Sequence, residues 1–440
     1  GVEESLAALI RRPTVSWHDY GRADRAAFDG LAADLVGLFP LVHKRLDRKE
    51  IGDWGLLYEC RGSDPSLAPA ILCAHYDVVP ADEPEEWAHA PFSGDIAELF
   101  VWGRGSQDVK CSLVCIMDAA ERLLAQGFAP RRSVYFAFGA DEEVGGPRGA
   151  AAIAGWLSAQ GLRASFLLDE GGPVADGLFP LADRPLALIG IAEKGYIDVA
   201  LIASGRGGHA SMPPRRTATG DLARAIAAVE ASPPPARLGY TLRQFLERLS
   251  PYVPFAQRLV FRNLWLLRGL VKAVFGASPA TNALIRSTAA PTMLEASPKE
   301  NVLADRARGT LNVRIIPGES SAQVLERLEG LVRRTGVEVR PAHEGLTVES
   351  LPESPVDHEG YRRIEAALAA AFPEAAPVPF LFSASTDTKH YRDVAEAIYR
   401  LTPLRQTTAD LAGVHGRDER VSVANLRRCA IFYRALLASL

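Results

Sequence analysis

Three short apolar runs near the start of this 440-residue chain each stop at a histidine or a group of carboxylates, and this arrangement narrows the fold more than any other feature. Residues 70–74 run into His75-Tyr76-Asp77, residues 133–138 lead to Asp141-Glu142-Glu143, and residues 165–168 lead to Asp169-Glu170. Together with a fourth run at 56–59 they read as buried strands, and helical patterns at 112–126 and 149–160 fall between them. Such alternation predicts an α/β fold around a mostly parallel central sheet. Side chains that follow the carboxyl ends of such strands collect where open α/β sheets bind their ligands.

From residue 197 the order changes. A strand at 197–203, a helix at 221–231, a strand at 307–316, a helix at 321–334 and a strand at 337–340 make a separate βα…βαβ unit. The alternation then resumes with a helix at 359–371, strands at 378–380 and 395–398, and a last helix at 423–440. The expected organisation is a catalytic domain split into residues 1–194 and 349–440, interrupted by a lid at 195–348 that carries a helical insertion at about 245–291. Within that insertion Arg258, Arg262, Arg268 and Lys272 fall on one arc of about 120° of a helix. Two readings follow. The helix packs on the lid with a solvated basic edge, or Leu264, Trp265 and Leu267 touch a membrane surface or a lipid-like substrate.

Composition removes several classes. A hydrophobic content of 48% with 23% charged residues is too apolar for a disordered chain. Forty-nine basic against fifty-three acidic residues lack the positive excess of a nucleic-acid binder, so no nucleic-acid partner is expected. Five cysteines without a CxxC argue against a disulfide framework. No uncharged apolar window is long enough to span a bilayer, and the chain is expected to be soluble. Because it opens on Gly1 and not on Met, a removed upstream segment is allowed for, and the compartment is left open as cytoplasmic or exported.

Period-two alternation puts His75 and Asp77 on one side at the carboxyl edge of the sheet, where the carboxylate can hold the ring of a metal-binding imidazole. Asp108 arrives just before a helix, in Gly103-Arg104-Gly105-Ser106-Gln107-Asp108. Acids crowded beside a buried strand repel one another unless cations neutralise them or protons are retained. Imidazole with hard oxygen donors suits zinc, manganese or cobalt, and so many carboxylates suit two ions that share a bridging acid. His415, in a glycine loop before the last helix, completes the set of candidates.

In this order HYDVVP (75–80), GRGSQDVK (103–110), ADEEVGG (140–146), LLDEGG (167–172), GRGGHASMPP (205–214) and GVHGRDERVSV (413–423) resemble the di-zinc exopeptidase and aminoacylase superfamily. The stretch NVLADRARGTLNVRIIPGES (301–320) and the long lid insertion are most similar to the carboxypeptidase S and N-fatty-acyl amino acid synthase/hydrolase branch. The resemblance implies a phosphorylase/hydrolase-like α/β catalytic domain with an inserted ferredoxin-like α+β lid or dimerisation domain. It implies a hydrolase of amide bonds next to a free carboxylate, acting on a small N-acyl amino acid or short peptide. Two Zn2+ per subunit, with Co2+ or Mn2+ compatible, would be held by His75, Asp108 as the bridge, Glu143, His415, and Asp169 in preference to Glu170. Asp77 would orient His75, Glu142 would be the general base, and His209 would bind the oxyanion, often across a homodimer formed through the lid. Asn301, Arg314, Lys389 and His390 would contact substrate. Val109 and Cys111 depart from the common pattern at positions that are not ligands. The rivals are a metal-binding protein without catalysis, which an intact Glu142 disfavours, and a dinucleotide-binding dehydrogenase, which the missing third glycine after Gly103-x-Gly105 disfavours.

Overall fold

The computed structural model describes residues 1–343, 345–382 and 384–440. The strands of its two large sheets are, in chain order, β1 (Asp47–Ile51), β2 (Gly55–Cys60), β3 (Ala70–His75), β4 (Val134–Gly139), β5 (Ala164–Ala175), β6 (Leu186–Glu193), β7 (Gly195–Ser204), β8 (Thr288–Glu295), β9 (Arg306–Ile315), β10 (Glu338–Pro341), β11 (Ala376–Phe382) and β12 (Ala395–Gln406). The principal helices are α1 (Val2–Ile10), α2 (Lys110–Ala125), α3 (Ala150–Ala159), α4 (Ala218–Ala231), α5 (Tyr240–Leu249), α6 (Phe255–Arg262), α7 (Leu264–Gly276), α8 (Ser321–Val332), α9 (Glu359–Ala371) and α10 (Val423–Ala438).

The larger sheet has the order β1-β2-β4-β3-β5-β12-β6-β11. β3 is parallel to β4 and β5, and β12 is parallel to β5. The expected mostly parallel sheet is nevertheless mixed, because β1, β2 and β4 pair antiparallel and β6 meets β12 antiparallel. Its inner strands are apolar because both faces are covered, while the edge strand β1 is charged and exposed. α1, α2, α9 and α10 bury Leu6, Leu113, Ile364 and Phe432 against one face, where Leu72, Phe136 and Phe166 point. α3 buries Ile153 and Leu157 against Ile71 and Leu167 on the other.

The second sheet is antiparallel throughout, with the order β8-β9-β7-β10. α4 and α8 lay Leu222, Val229, Val324 and Leu328 onto Val199 and Leu311. The sequence β7-α4-β8-β9-α8-β10 in that spatial order is the expected ferredoxin-like topology. Thr217 caps α4 by accepting from the Gly220 N–H at 3.1 Å, and Ser320 with Gln323 forms a capping box on α8. β8 lies where the pattern suggested no strand. It is an edge strand, and its exposed Met293 and Leu294 break the alternation by which a half-buried strand is read.

The insertion departs from expectation twice. The single helix expected over 258–275 is broken at Asn263, whose side-chain amide donates to the Leu259 carbonyl at 2.8 Å and whose backbone leaves the helical region. Nor does the insertion rest on the lid. Leu242, Phe245 and Leu246 of α5 and Val271 of α7 pack against Leu186, Leu188, Ala376 and Val378 of β6 and β11, so the insertion covers an edge of the larger sheet.

Glu359 opens α9 and ties it to the sheet, accepting from Ser165 Oγ at 2.7 Å and pairing with Arg132 at 2.6 Å. Burial works to raise its pKa, but the Arg132 and Ser165 hydrogen bonds outweigh it and bring the group down to about 2. A carboxylate depressed on folding contributes stability above its unfolded pKa and loses it as pH falls toward the folded value. Glu359→Gln should therefore flatten the loss of stability between about pH 4.5 and pH 2, measured as the denaturant midpoint at each pH. An unchanged profile would rule out this pair as a contributor to acid sensitivity.

Candidate metal centre

The carboxyl ends of β3 and β4, the middle of β5, and two loops converge on one cluster, in which His75 is buried, the acids are half-buried and His415 is exposed. His75 is 2% exposed, and its Nε2 lies 3.1 Å from Asp108 Oδ1 and 3.3 Å from Glu170 Oε1. On the other side of Asp108, His415 Nε2 lies 2.9 Å from Oδ2 and 3.3 Å from Glu143 Oε1. One carboxylate thus stands between two imidazoles, each with an acid of its own. Glu142 joins His75 and Glu170 in a group whose ligand atoms all lie within 4.8 Å of one another.

Burial pushes Glu142 well above the ordinary carboxylate range, raises Glu143, and takes Glu170 up to about 8. Burial also opposes ionisation of Asp108, but hydrogen bonds from His415 and His75 overcome it and hold that group low. The donor set fits divalent metal. Two imidazoles and four acids face one another, and Glu143 Oε1 makes no well-aligned hydrogen bond, not even to His415 Nε2 at 3.3 Å. Such an atom is costly unless something positive approaches it.

Asp77 positions the cluster in more ways than the sequence suggests. It is fully buried and accepts from the backbone N–H groups of Glu142 and Glu143, each at 3.1 Å, and from Ser16 Oγ at 2.7 Å. His75 Nδ1 stands 3.0 Å from the Asp77 carbonyl and 3.3 Å from its carboxylate, which leaves Nε2 turned to the cluster. Asp141, first of the three adjacent acids, is elsewhere engaged by Tyr20 and by the N–H groups of Arg148 and Gly149.

Glu419 had no signal of its own, because a charged run such as Arg417-Asp418-Glu419-Arg420 reads as solvated surface. It is fully buried and accepts from the N–H groups of Gly105, Gln107 and Asp108 at 3.0, 2.7 and 3.2 Å and from Arg104 at 2.8 Å. This one side chain fixes the loop that carries Asp108 to the segment that carries His415.

The preference for Asp169 over Glu170 is not followed by the geometry. β5 does not end at Leu168 but runs to Ala175, so alternation puts the two acids on opposite faces. Glu170 faces His75, whereas Asp169 lies buried toward Cys73 and Arg400, raised to about 6 by burial.

A cavity of about 390 Å³ opens beside the cluster, and its lining includes Asp108, Glu142, Glu143, Glu170 and His415 together with the apolar Phe382, Ala384, Leu411 and Val414. Its floor includes Thr386, held with Thr388 by a buried pair in which Arg400 Nε donates to Glu193 at 2.8 Å. His390 Nε2 donates to the Gly145 carbonyl at 2.9 Å, and Lys389 stands beside Gly145. Gly146, with φ 70°, lets this loop approach, since a Cβ there would stand 2.1 Å from Asp387 Oδ1. The lid residues are not brought to this cavity. His209 is exposed and accepts from the Ser211 N–H at 3.1 Å, Asn301 is exposed, and Arg314 lies over the Tyr196 ring at 4.8 Å.

A mixed α/β sheet with an inserted ferredoxin-like domain and a cluster of imidazoles and carboxylates at its carboxyl edge defines a metallohydrolase. The chain belongs to peptidase family M20/M25/M40, whose model matches residues 71–439. It is 38% identical to the N-fatty-acyl-amino acid synthase/hydrolase PM20D1 of Mus musculus over 430 residues, 96% of this chain and 84% of that one. It is 36% identical to the probable carboxypeptidase S-like 2 of Dictyostelium discoideum over 401 residues, 91% of this chain and 77% of that one. In fold it resembles the M20 family metallo-carboxypeptidase Sso-CP2 of Sulfolobus solfataricus at a TM-score of 0.70 and 17% identity, covering 99% and 98% of the two chains. Human carnosine dipeptidase 1 follows at 0.64 and 15%, covering 100% and 96%. The protein is a hydrolase of amide or peptide bonds. Among the described residues no helix is long and apolar enough to cross a membrane.

Replacing Asp77 with Ala removes the acceptor shared by two backbone N–H groups and the His75 ring. Metal affinity is expected to fall by about 10–100-fold, the usual effect of losing such support, as measured by competition with a chelator. Unchanged affinity would mean that the backbone alone orients the ligands.

Proposed function

We propose that the chain is a two-metal amidase in which His75, Asp108, Glu143, Glu170 and His415 would hold the ions, Asp108 being the acid shared between the His75–Glu170 side and the Glu143–His415 side. The observation that carries this reading is the division of the Asp108 carboxylate, with Oδ1 toward His75 and Oδ2 toward His415. Zinc is the ion best suited to this mixture, with Co2+ or Mn2+ as substitutes. Bound metal would acidify water and polarise the scissile carbonyl.

Glu142 is the general base. It sits beside the ligands, and its burial raises its proton affinity, which suits a group that takes a proton from the attacking water and passes it to the leaving amine. Asp77 holds the Glu142 N–H and so fixes where that carboxylate stands. Asn301 and Arg314 belong to the lid and meet the substrate when the lid, taken as residues 195–348, closes over the cavity; His209, on the same lid, would reach the cavity of a partner subunit. His209 would donate to the oxyanion, and Arg314 would grip the free carboxylate. Lys389 and His390 hold the loop at the cavity floor, where Lys389 would reach the substrate. A homodimer formed through the exposed edge strand β8, with His209 serving the partner's cavity, accounts for its distance from the cluster.

The substrate is an N-acyl amino acid with an apolar acyl group, in preference to a blocked dipeptide. The apolar lining residues Phe382, Leu411 and Val414 and the likeness to a fatty-acyl amino acid hydrolase support this choice.

One assay series tests the assignment. In the zinc-loaded enzyme Glu142→Gln should lower kcat at least ~100-fold with metal content unchanged, and His209→Ala should lower kcat more than it raises KM. Near-normal turnover of Glu142→Gln with both ions bound would remove Glu142 from the mechanism. In the same series kcat/KM for a long-chain N-acyl amino acid should exceed that for a blocked dipeptide. A strong preference for the dipeptide would move the enzyme to the peptidase side of its family.

A further inference from the structure

The helical insertion has a surface that the hydrolase chemistry does not use. We propose that α6 and α7 form a hairpin that docks the enzyme flat on an anionic phospholipid surface. The inner side of the hairpin is already committed, with Val260, Phe261, Leu264, Val271 and Phe275 packed into the apolar cluster that α5 shares with β6 and β11. Its outer side carries Phe255, Leu259, Trp265, Leu266, Leu270 and Val274, each at least 51% exposed and Trp265 76% exposed. On α7 the exposed apolar residues share an arc of about 180°, and Arg268 and Lys272 stand at its margin. So many large apolar side chains side by side on water are unusual for a monomer and mark a contact surface.

Charge selects the occupant. Between Glu247 and Glu295 the chain contains no acid and six cations, Arg248, Arg258, Arg262, Arg268, Lys272 and Arg286. Arg248 is paired with Glu365, Arg258 donates to the Ser250 and Pro251 carbonyls, and Arg286 donates to the Pro234 carbonyl. Arg262, Arg268 and Lys272 have no ion-pair partner among the described residues, and they sit beside the apolar face. Arg262 also lines, with Arg243, a groove of about 790 Å³ between α5 and the hairpin, in which Glu247 is the single acid. An apolar face bordered by unpaired cations matches the headgroup and acyl boundary of an anionic bilayer, where apolar groups enter and basic groups meet lipid phosphates. At 8 and 13 residues neither helix can span a bilayer, so the hairpin lies in the plane of the surface.

The test is cosedimentation of the full chain with vesicles of phosphatidylglycerol and phosphatidylcholine or of phosphatidylcholine alone. Binding should be at least ~10-fold tighter to the anionic vesicles. Trp265→Glu with Leu270→Glu should remove it, and Arg268→Glu should weaken it by roughly fivefold or more, the scale of one surface cation. Both side chains of the double variant are solvent-facing, and an unchanged melting temperature and unchanged kcat on a short-chain N-acyl substrate would show that fold and active site are intact. Three results would overturn the proposal. One is no binding to either vesicle; another is a self-association that the double variant abolishes without vesicles, which assigns the face to a second copy. The third is a raised KM for a long-chain substrate with vesicle binding unaltered, which assigns it to the acyl group.

Discussion

The structure is organised around the electrostatic cost of placing Asp108, Glu142, Glu143 and Glu170 within a few ångströms of one another, half withdrawn from water on the lining of a cavity. Two imidazoles cannot neutralise four half-buried acids, and proton retention answers only part of the repulsion. The chain tolerates the cluster because the rest of the fold holds it rigid. Strands buried on both faces deliver the acids, and loops pinned by hydrogen bonds keep them from turning outward. Binding energy from metal then offsets a strain that the polypeptide has already built in.

Two further carboxylates do the pinning by using backbone N–H groups as their partners. Asp77 gathers the N–H groups of Glu142 and Glu143, and Glu419 gathers those of Gly105, Gln107 and Asp108. A carboxylate accepting several N–H bonds is stabilised in its ionised form, and Glu419 also has the Arg104 guanidinium at 2.8 Å, so each can be buried next to the centre without competing for its metal. Glu419 also closes a long circuit, since it joins a loop near residue 105 to one near residue 415 through Arg104. The split of the catalytic sheet around the lid is therefore bridged at the active centre itself. The Glu193 and Arg400 pair does the same below the cavity, joining β6 to β12 across the excursion through the lid.

Much of this was legible in the sequence wherever local pattern and tertiary role coincide. The strands that lead to His75 and Glu142 are short and apolar, the first preceded by Pro69 and the second closed by Gly139, so their ends and the acids beyond them are readable. Glu170 was passed over for Asp169 because β5 continues past the point where β3 stops pairing with it, and a strand end was inferred where only a neighbour ends. β8 was missed because an edge strand with Met293 and Leu294 exposed does not alternate. Glu419 was missed because burial of a charge depends on donors more than 300 residues away, which no local window contains. The placement of the insertion on the catalytic sheet was equally invisible. Its periodicity states that one face is buried, not what buries it.

That placement separates chemistry from attachment. The insertion packs on Ala376 and Val378, in the first half of β11, while Phe382 at the opposite end of the strand lines the cavity. A surface engaged by Trp265 and Leu270 thus lies away from the carboxyl edge of the sheet, where the cavity opens. A bilayer holding the hairpin would leave the cavity mouth clear. It would also raise the local concentration of amphiphiles, whose apolar tails partition into the same layer. The two features are independent in energy, because neither the ligands nor their hydrogen-bond partners lie on the hairpin. An enzyme that lost its docking face would keep its turnover on water-soluble substrates and lose its advantage on those that reside in the membrane.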